Sequence, residues 1–319
     1  MIMLDKSEIK HLLDDVDLVS PIREGFIQYS KGKCVIPPVG ELLFNNPPGD
    51  VHIKYGYITD EKYYVIKIAS GFPKNEKLNI SNGQGMILLF DQKTGTPLIT
   101  LLDDAILTDI RTAIAGQICA EMFTNKIKSI GVIGTGRQAR LQVTYLKNIT
   151  NCRTVNVWGR SKKKSQKYKD DLLKFGFDVR IYKSVKELAE KSNLIITTTS
   201  SEKPILHECD IKLGTHITAV GADTASKREL DISIFNRADL IIADSISQCK
   251  VRGEISHALL KNIISSDEII ELGSILSGKR QGRTSKDQIS VVDLTGVAVQ
   301  DLQIAKAVYE KYLKEKNEI

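Results

Sequence analysis

The stretch SIGVIGTGRQARLQVTYL, from Ser129 to Leu146, decides how the rest of the chain is read. Ile130 to Ile133 is a short β-branched run suited to a buried parallel strand, and Ala139, Leu141, Val143 and Leu146 then recur at helical spacing. Between them lies Gly134-Thr135-Gly136-Arg137-Gln138-Ala139, a G-x-G-x-x-A run. The first glycine allows the tight turn, the second lets a pyrophosphate approach the backbone, and the small third residue lets helix and strand pack closely. The start of the helix offers its amides to the phosphates. A dinucleotide is therefore expected at Gly134 and Gly136.

Downstream, the alternation of strand and helix continues. Strands are expected at Thr154 to Trp158, Asp178 to Tyr182, Leu194 to Thr198, His216 to Val220 and Leu240 to Ala243, with helices at Lys162 to Phe175 and Val185 to Lys191. This is the pattern of an α/β fold, a doubly wound parallel sheet of the Rossmann type. The end of its second strand decides the cofactor. An Asp or Glu there suits both ribose hydroxyls of NAD and repels a 2′-phosphate, but the chain reads Gly159-Arg160-Ser161 followed by three lysines. Arg160 and Ser161 suit a phosphate, so NADP(H) is favoured, with NAD(H) possible. The alternative for this stretch is a solvated basic helix start.

Further on, Ser266 to Leu276 reads as a helix, Ile289 to Leu294 as one more strand, and Val299 to Leu313 as a terminal helix with Leu302, Ala305, Val308, Tyr309 and Tyr312 on one side. That helix is expected to cross back to the first domain.

Upstream, Asp5 is placed to cap a short helix, and Leu18, Ile22, Phe26 and Tyr29 mark a second. From Cys34 to Asp103 the chain alternates and turns, as a mostly antiparallel sheet does. Period-two alternation puts His52 and Lys54 on one face of their strand, and places Lys67 in the row of Tyr63, Val65 and Ala69. Lys67 interrupts an apolar row, which a lysine snorkelling off a sheet edge would also do. Asp104 is expected to cap a long helix whose apolar face runs Leu107, Ile110, Ile114, Ile118 and Met122. Arg111 falls inside that face. A guanidinium there needs a partner, and two suit it equally: a neighbouring carboxylate in an internal salt bridge, or a carboxylate or phosphate ligand held in its planar fork.

Composition sets the outer limits. With 319 residues and 42% apolar content the chain suits two domains: a discontinuous α+β substrate and dimerisation domain at 1–114 and 292–319, and a nucleotide domain at 115–291. The net charge of +6 is spread without a basic stripe, which argues against nucleic acid. Five cysteines at scattered positions, none spaced C-x-x-C, suit reduced thiols in a cytoplasm and no structural metal. The acidic, interrupted N-terminal stretch does not read as a signal peptide, and no apolar run approaches membrane-spanning length.

Several blocks together resemble the ornithine cyclodeaminase/mu-crystallin family of NAD(P)-dependent proteins. They are Val51 to Tyr57, Val65 to Gly71, Leu107 to Ala113, Gly131 to Ala139, Val220 to Asp223 and Asp293 to Ala298, and they occur in family order. The resemblance implies that Lys67 and Arg111 hold a substrate carboxylate, and that Arg111 with Thr112 also reaches the cofactor. It makes Asp223 the catalytic acid/base, with Lys67 beside it among the catalytic candidates. It puts Asn82, Arg137, Gln138, Thr199, Val220, Lys227 and Thr295 along the cofactor, and implies a homodimer.

Two departures bear on the reaction. Ornithine-cyclising members carry an Arg after the early proline segment, where this chain has Pro37-Pro38-Val39-Gly40, and an Asp at the position of Gly159. Lys54 is a candidate for the missing charge. The expectation is an NADP-dependent reductase of a small imino acid, acting in reverse as an amino-acid dehydrogenase. The alternatives are ornithine cyclodeaminase and a non-catalytic NADPH-dependent binding protein. For Asp223 the bland alternative is a helix cap for a segment beginning near Ala225.

Overall fold

A computed structural model describes residues 1–317. The chain divides into two compact units, Met1–Arg111 together with the chain from Val297 onward, and Thr112–Gly296.

The first unit is a seven-stranded sheet with helices. Its strands are β1 (Ile2–Leu4), β2 (Cys34–Val35), β3 (Gly40–Asn45), β4 (Pro48–Ile58), β5 (Tyr63–Gly71), β6 (Gly83–Asp91) and β7 (Pro97–Leu101), in the order β1-β7-β6-β5-β4-β2 with β3 also on β4. Pairing is antiparallel from β2 to β7. The exception is β1, which joins β7 in parallel. Three residues are too few to show a periodicity, so β1 has no signature in the sequence. Asp5 caps the helix Lys6–Leu12 in a capping box with Glu8. The terminal helix Ala298–Asn317 packs on β4, β5 and β6 and on the helix Val19–Ser30, burying Leu302, Ala305, Val308 and Tyr309.

The helix Ile106–Phe123 carries the boundary between the units at Arg111 and Thr112. Its cap differs from expectation. Asp103, not Asp104, receives the Leu107 amide on Oδ2 at 2.9 Å, while Asp104 and Ala105 both take left-handed backbone conformations. Asp104 instead pairs with Lys6 at 3.3 Å on the surface. The two-residue left-handed turn shifts the capping position back by one.

The second unit holds β8 (Ile130–Ile133), β9 (Thr154–Trp158), β10 (Asp178–Ile181), β11 (Leu194–Thr197), β12 (His216–Ala219), β13 (Leu240–Ala243), β14 (Ile269–Glu271) and β15 (Ser290–Asp293). All pair in parallel, in the order β10-β9-β8-β11-β12-β15-β13-β14. Strands buried on both faces read as continuous apolar runs, and Ile133, Ile195, Ile217, Ile241 and Val291 form the core with Leu188 and Phe235. Strand order turns back at β8, between β9 and β11, so the carboxyl end of β8 is where an open α/β sheet binds its ligand.

The expected return at 292 falls inside β15, which pairs with β12 on one side and β13 on the other, so the second unit runs on to Gly296. The expected helix at Ser266 to Leu276 is a 3-10 turn at Ser266–Glu268, then β14, then a short helix at Leu272–Leu276. Ile269 and Ile270 find Ile241 and Ile242 as sheet partners, and that pairing outweighs local helix preference. No helix among the described residues is long and apolar enough to cross a membrane.

Because Asp103 is buried and caps the helix, Asp103→Ala should lower stability in urea unfolding by about 1–2 kcal/mol. Asp104→Asn, which keeps a residue tolerant of the left-handed region, should cost less than about 0.5 kcal/mol. Equal losses would return the cap to Asp104.

Candidate functional site

In the second unit the chain leaves β8 through Gly134, whose φ of 123° is outside the range of ordinary side chains. A Cβ there would also lie 2.4 Å from Thr198 Oγ1. Gly136 is the N-cap of the nine-residue helix Arg137–Tyr145 and brings no side chain of its own to the first turn. A Cβ on Gly136 would meet nothing within 4 Å, so the space in front of the helix start is open. Ala139 is fully buried, and the Tyr168 hydroxyl donates to its carbonyl at 3.0 Å. Arg140 braces the loop from behind, donating to Thr135 O at 2.6 Å and Gly136 O at 2.9 Å. These features fit a pyrophosphate, which needs a helix start that it can approach closely through glycine backbone.

A cleft of about 430 Å³ opens there, lined by Gly134, Gly136, Trp158, Arg160, Ser161 and Thr199 among others. None of its lining residues is acidic. Ser161 is the cap of the helix Lys162–Leu173, its Oγ accepting from the Lys164 amide at 3.3 Å, and Lys164 lines the same cleft. At Gly159 a Cβ would lie 2.6 Å from Thr135 Cγ2. The methyl of Thr135 thus occupies the space that an acid at 159 would need.

The other expected cofactor residues are placed differently. Arg137 and Gln138 form the first turn of the glycine-loop helix. Val220 is buried, its amide donating to Thr197 O at 3.0 Å. Thr295 is buried and donates to Asp244 Oδ1 at 2.9 Å. Thr112 opens the second unit, its carbonyl accepting from Gln142 Nε2 at 3.0 Å. Asn82 belongs to the first unit, where its side chain accepts from the Glu76 amide at 2.9 Å.

Asp223 follows β12 at the carboxyl edge of the same sheet. Its Oδ1 accepts from Lys227 Nζ at 2.6 Å, and its carbonyl accepts from Arg252 Nη1 at 3.2 Å. The Asp223 side chain is 38% exposed, open enough for a ligand to reach. No helix begins near Ala225, since residues 224–229 are irregular. The carboxylate is therefore not the cap of a helix at that place.

The first unit gathers the cations. Lys54 and Lys67 are directly opposite one another on β4 and β5, a like-charge pairing that is unfavourable without an anion between. Both are buried, as is Arg111. Their anion is Asp301 of the terminal helix, 0% exposed, whose Oδ1 accepts from Lys67 Nζ and Arg111 Nε, each at 3.1 Å. Arg111 Nη1 also donates to Gln300 Oε1 at 3.2 Å. Burial alone would raise the Asp301 carboxyl, but Lys67, Arg111 and Lys54 outweigh it and hold the group below the ordinary carboxylate range. Asp103, the other acid that Lys67 feels, is pushed up by its own burial. Lys54, Lys67 and Arg111 thus gather at one place with Asp301 and Asp103. Asp301 Oδ2 and Gln300 Nε2, both buried, have no hydrogen-bond partner among the described residues.

Asp301 is not among the residues expected at the site, although the sequence carries a signal for it. It stands three after Ala298 and one before Leu302 in the buried stripe of its helix, just as Arg111 stands in the stripe of its own. Each was the other's missing partner. Among the described residues no group of His, Cys, Asp or Glu is arranged to hold a metal.

The profile of the ornithine cyclodeaminase/mu-crystallin family matches residues 1–316. Among solved structures the chain resembles Δ(1)-pyrroline-2-carboxylate reductase of Thermococcus litoralis in complex with NADH and L-proline, at 27% identity and a TM-score of 0.92 over 99% of this chain and 98% of that one. It resembles an archaeal alanine dehydrogenase dimer with bound NAD at 29% identity and a TM-score of 0.90, over 99% and 97%. The iminosuccinate reductase of Paracoccus denitrificans in complex with NAD⁺ gives 28% identity and a TM-score of 0.90, again over 99% and 97%. With the family pattern running from the first strand through the terminal helix, this chain belongs to the ornithine cyclodeaminase/mu-crystallin family.

Proposed function

We propose that the protein is an NADPH-favouring oxidoreductase that moves a hydride to or from the α carbon of a small amino acid or its imine. It acts as a ketimine or cyclic imine reductase, and in reverse as an amino-acid dehydrogenase. The observation that carries this is the buried gathering of Lys54, Lys67 and Arg111, with Lys67 and Arg111 sharing one oxygen of Asp301. A substrate carboxylate is the anion that suits such a gathering of cations. The three relatives of known structure act on substrates of that class or their products, as their names state.

The roles follow from the chemistry of each group. Lys67 and Arg111, with Lys54, orient the carboxylate by charge-assisted hydrogen bonds, which are stronger than neutral ones. The dinucleotide, when bound, supplies or takes the hydride. Gly134, Gly136 and the helix start would hold its pyrophosphate, and Arg160, Ser161 and Lys164 a 2′-phosphate. Asp223 stabilises the positive charge of a protonated imine and handles its proton, and Lys227 holds that carboxylate in place by donating to its Oδ1. Lys54 stands in for the cation lacking at Pro37 to Gly40, which favours a reductase over ornithine cyclodeaminase. We also infer a homodimer, because Val35, Leu42, Leu43 and Phe44 on β2 and β3 leave large apolar side chains exposed at the sheet edge. The five free cysteines suit a reducing compartment, the cytoplasm.

The direct test is a panel of pyrroline, piperideine and linear oxo-acid-plus-amine substrates with NADPH, followed by cofactor absorbance. Ammonia release from ornithine without a net absorbance change would overturn the reductase in favour of the cyclodeaminase. NADPH should bind more tightly than NADH, and Arg160→Ala should shrink that preference by about tenfold. Equal affinity of the native protein for both would remove the 2′-phosphate from the assignment. Asp223→Asn should leave folding and NADPH binding intact while lowering the single-turnover rate by about a hundredfold or more. Near-native turnover would take Asp223 out of the mechanism. Asp301→Leu should destabilise the fold by about 3–5 kcal/mol in chemical denaturation, because it strands buried cations without their partner. A loss below 1 kcal/mol, the range of surface pairs, would show that the cluster is not held by Asp301.

A further inference from the structure

Glu229 follows Lys227 and Arg228, and in the sequence it reads as part of a charged surface run. It is 0% exposed. Its Oε1 accepts from the Thr199 amide at 2.5 Å, and its Oε2 accepts from Thr197 Oγ1 at 2.7 Å and the Gly221 amide at 2.9 Å. These donors come from the carboxyl ends of two adjacent strands, β11 and β12. Thr199 lines the nucleotide cleft. Gly221 lies two residues before Asp223. The two turns are in direct contact, since a Cβ on Gly221 would fall 2.1 Å from Thr199 O.

The glutamate is itself held from behind. Glu254, also buried, accepts from the Glu229 amide at 2.6 Å and the Leu230 amide at 3.0 Å. Glu254 sits in the first turn of the helix Gly253–Leu260, where the Ile255 amide donates to Asp293 Oδ2 at 2.9 Å at the end of β15. Three buried acids therefore run in series along the carboxyl edge of β11, β12 and β15. The arrangement is costly. Burial pushes the Glu229 carboxyl up to about 7, and burial with the charge of Glu229 raises Glu254 well above the ordinary carboxylate range. An apolar residue at either position would leave buried amides without an acceptor, so holding the turns is what the acids contribute.

We propose that Glu229 is a positioning residue: its one carboxylate fixes the span between the turn that lines the nucleotide cleft and the turn that carries Asp223. It rests on the assignment of that cleft to a dinucleotide. An acceptor-only group is required because three donors converge on it, two of them backbone amides that cannot reverse. A glutamine offers one acceptor oxygen and turns an NH₂ toward the remaining donors.

The test uses the full chain with Glu229→Gln, Glu229→Asp and Thr197→Val, the last removing one donor while leaving the glutamate. Hydrogen exchange at the Thr199 and Gly221 amides, NADPH affinity by fluorescence, and kcat against KM for the imino acid are read together with a melting curve. In Glu229→Gln the two amides should lose about tenfold or more in protection, NADPH should bind about tenfold more weakly, and kcat should fall while KM for the imino acid stays within about twofold. Glu229→Asp and Thr197→Val should move the same readouts in the same direction by less. A lower melting temperature with native exchange, affinity and kcat would overturn the proposal. Should Glu229→Gln not fold, native exchange and affinity in the other two variants would overturn it equally. If the native protein binds neither NADPH nor NADH, the dinucleotide assignment fails, and the exchange of the two amides still decides whether Glu229 clamps the turns.

Discussion

The carboxylate of Asp301 is the interaction on which the first unit depends. It lies fully buried, and it accepts from a lysine on β5 and an arginine on the helix Ile106–Phe123. An isolated buried charge is too costly to persist, so none of these groups tolerates the absence of the others. The terminal helix returns nearly two hundred residues after Arg111 to deliver that acid. This gives the discontinuous chain path a physical reason: the cations of the sheet and helix are settled only when Asp301 arrives.

The second unit solves a different problem with the same material. A parallel sheet whose strands are buried on both faces leaves its polar backbone exposed only at the strand ends. Those ends must be held apart from solvent collapse and from one another while presenting amides to a ligand. Gly134 and Gly136 do so by lacking side chains, Arg140 by bracing the loop carbonyls, and Glu229 by gathering donors from neighbouring turns. The absence of an acid along the cleft and the placement of Thr135 against Gly159 then set the charge that this edge presents.

The two units differ in where their charges come from. Lys54, Lys67, Arg111 and Asp301 are side chains on regular elements, aimed by pleat and helical period, and packing fixes them. Asp223, Lys227, Arg160 and Ser161 lie on turns and caps at strand ends, where short-range hydrogen bonds fix them.

The sequence by itself determined the parallel sheet, because a β-branched run, a glycine loop and a helical period follow one another at fixed spacing from Ile130 to Leu146. It also marked Lys67 and Arg111, since a charge inside an apolar row breaks a local period and is visible without coordinates. Only the tertiary structure decided what those charges do. Asp301 is far along the chain from both, Lys54 faces Lys67 only through strand register, and Glu229 looks like surface until Thr199 and Gly221 close over it. The strand at Ile269–Glu271 and the cap at Asp103 belong to the same class, settled by a sheet partner and by a left-handed turn. Periodicity is a property of neighbours in sequence, whereas the pairing of buried charges and of strand edges is a property of neighbours in space.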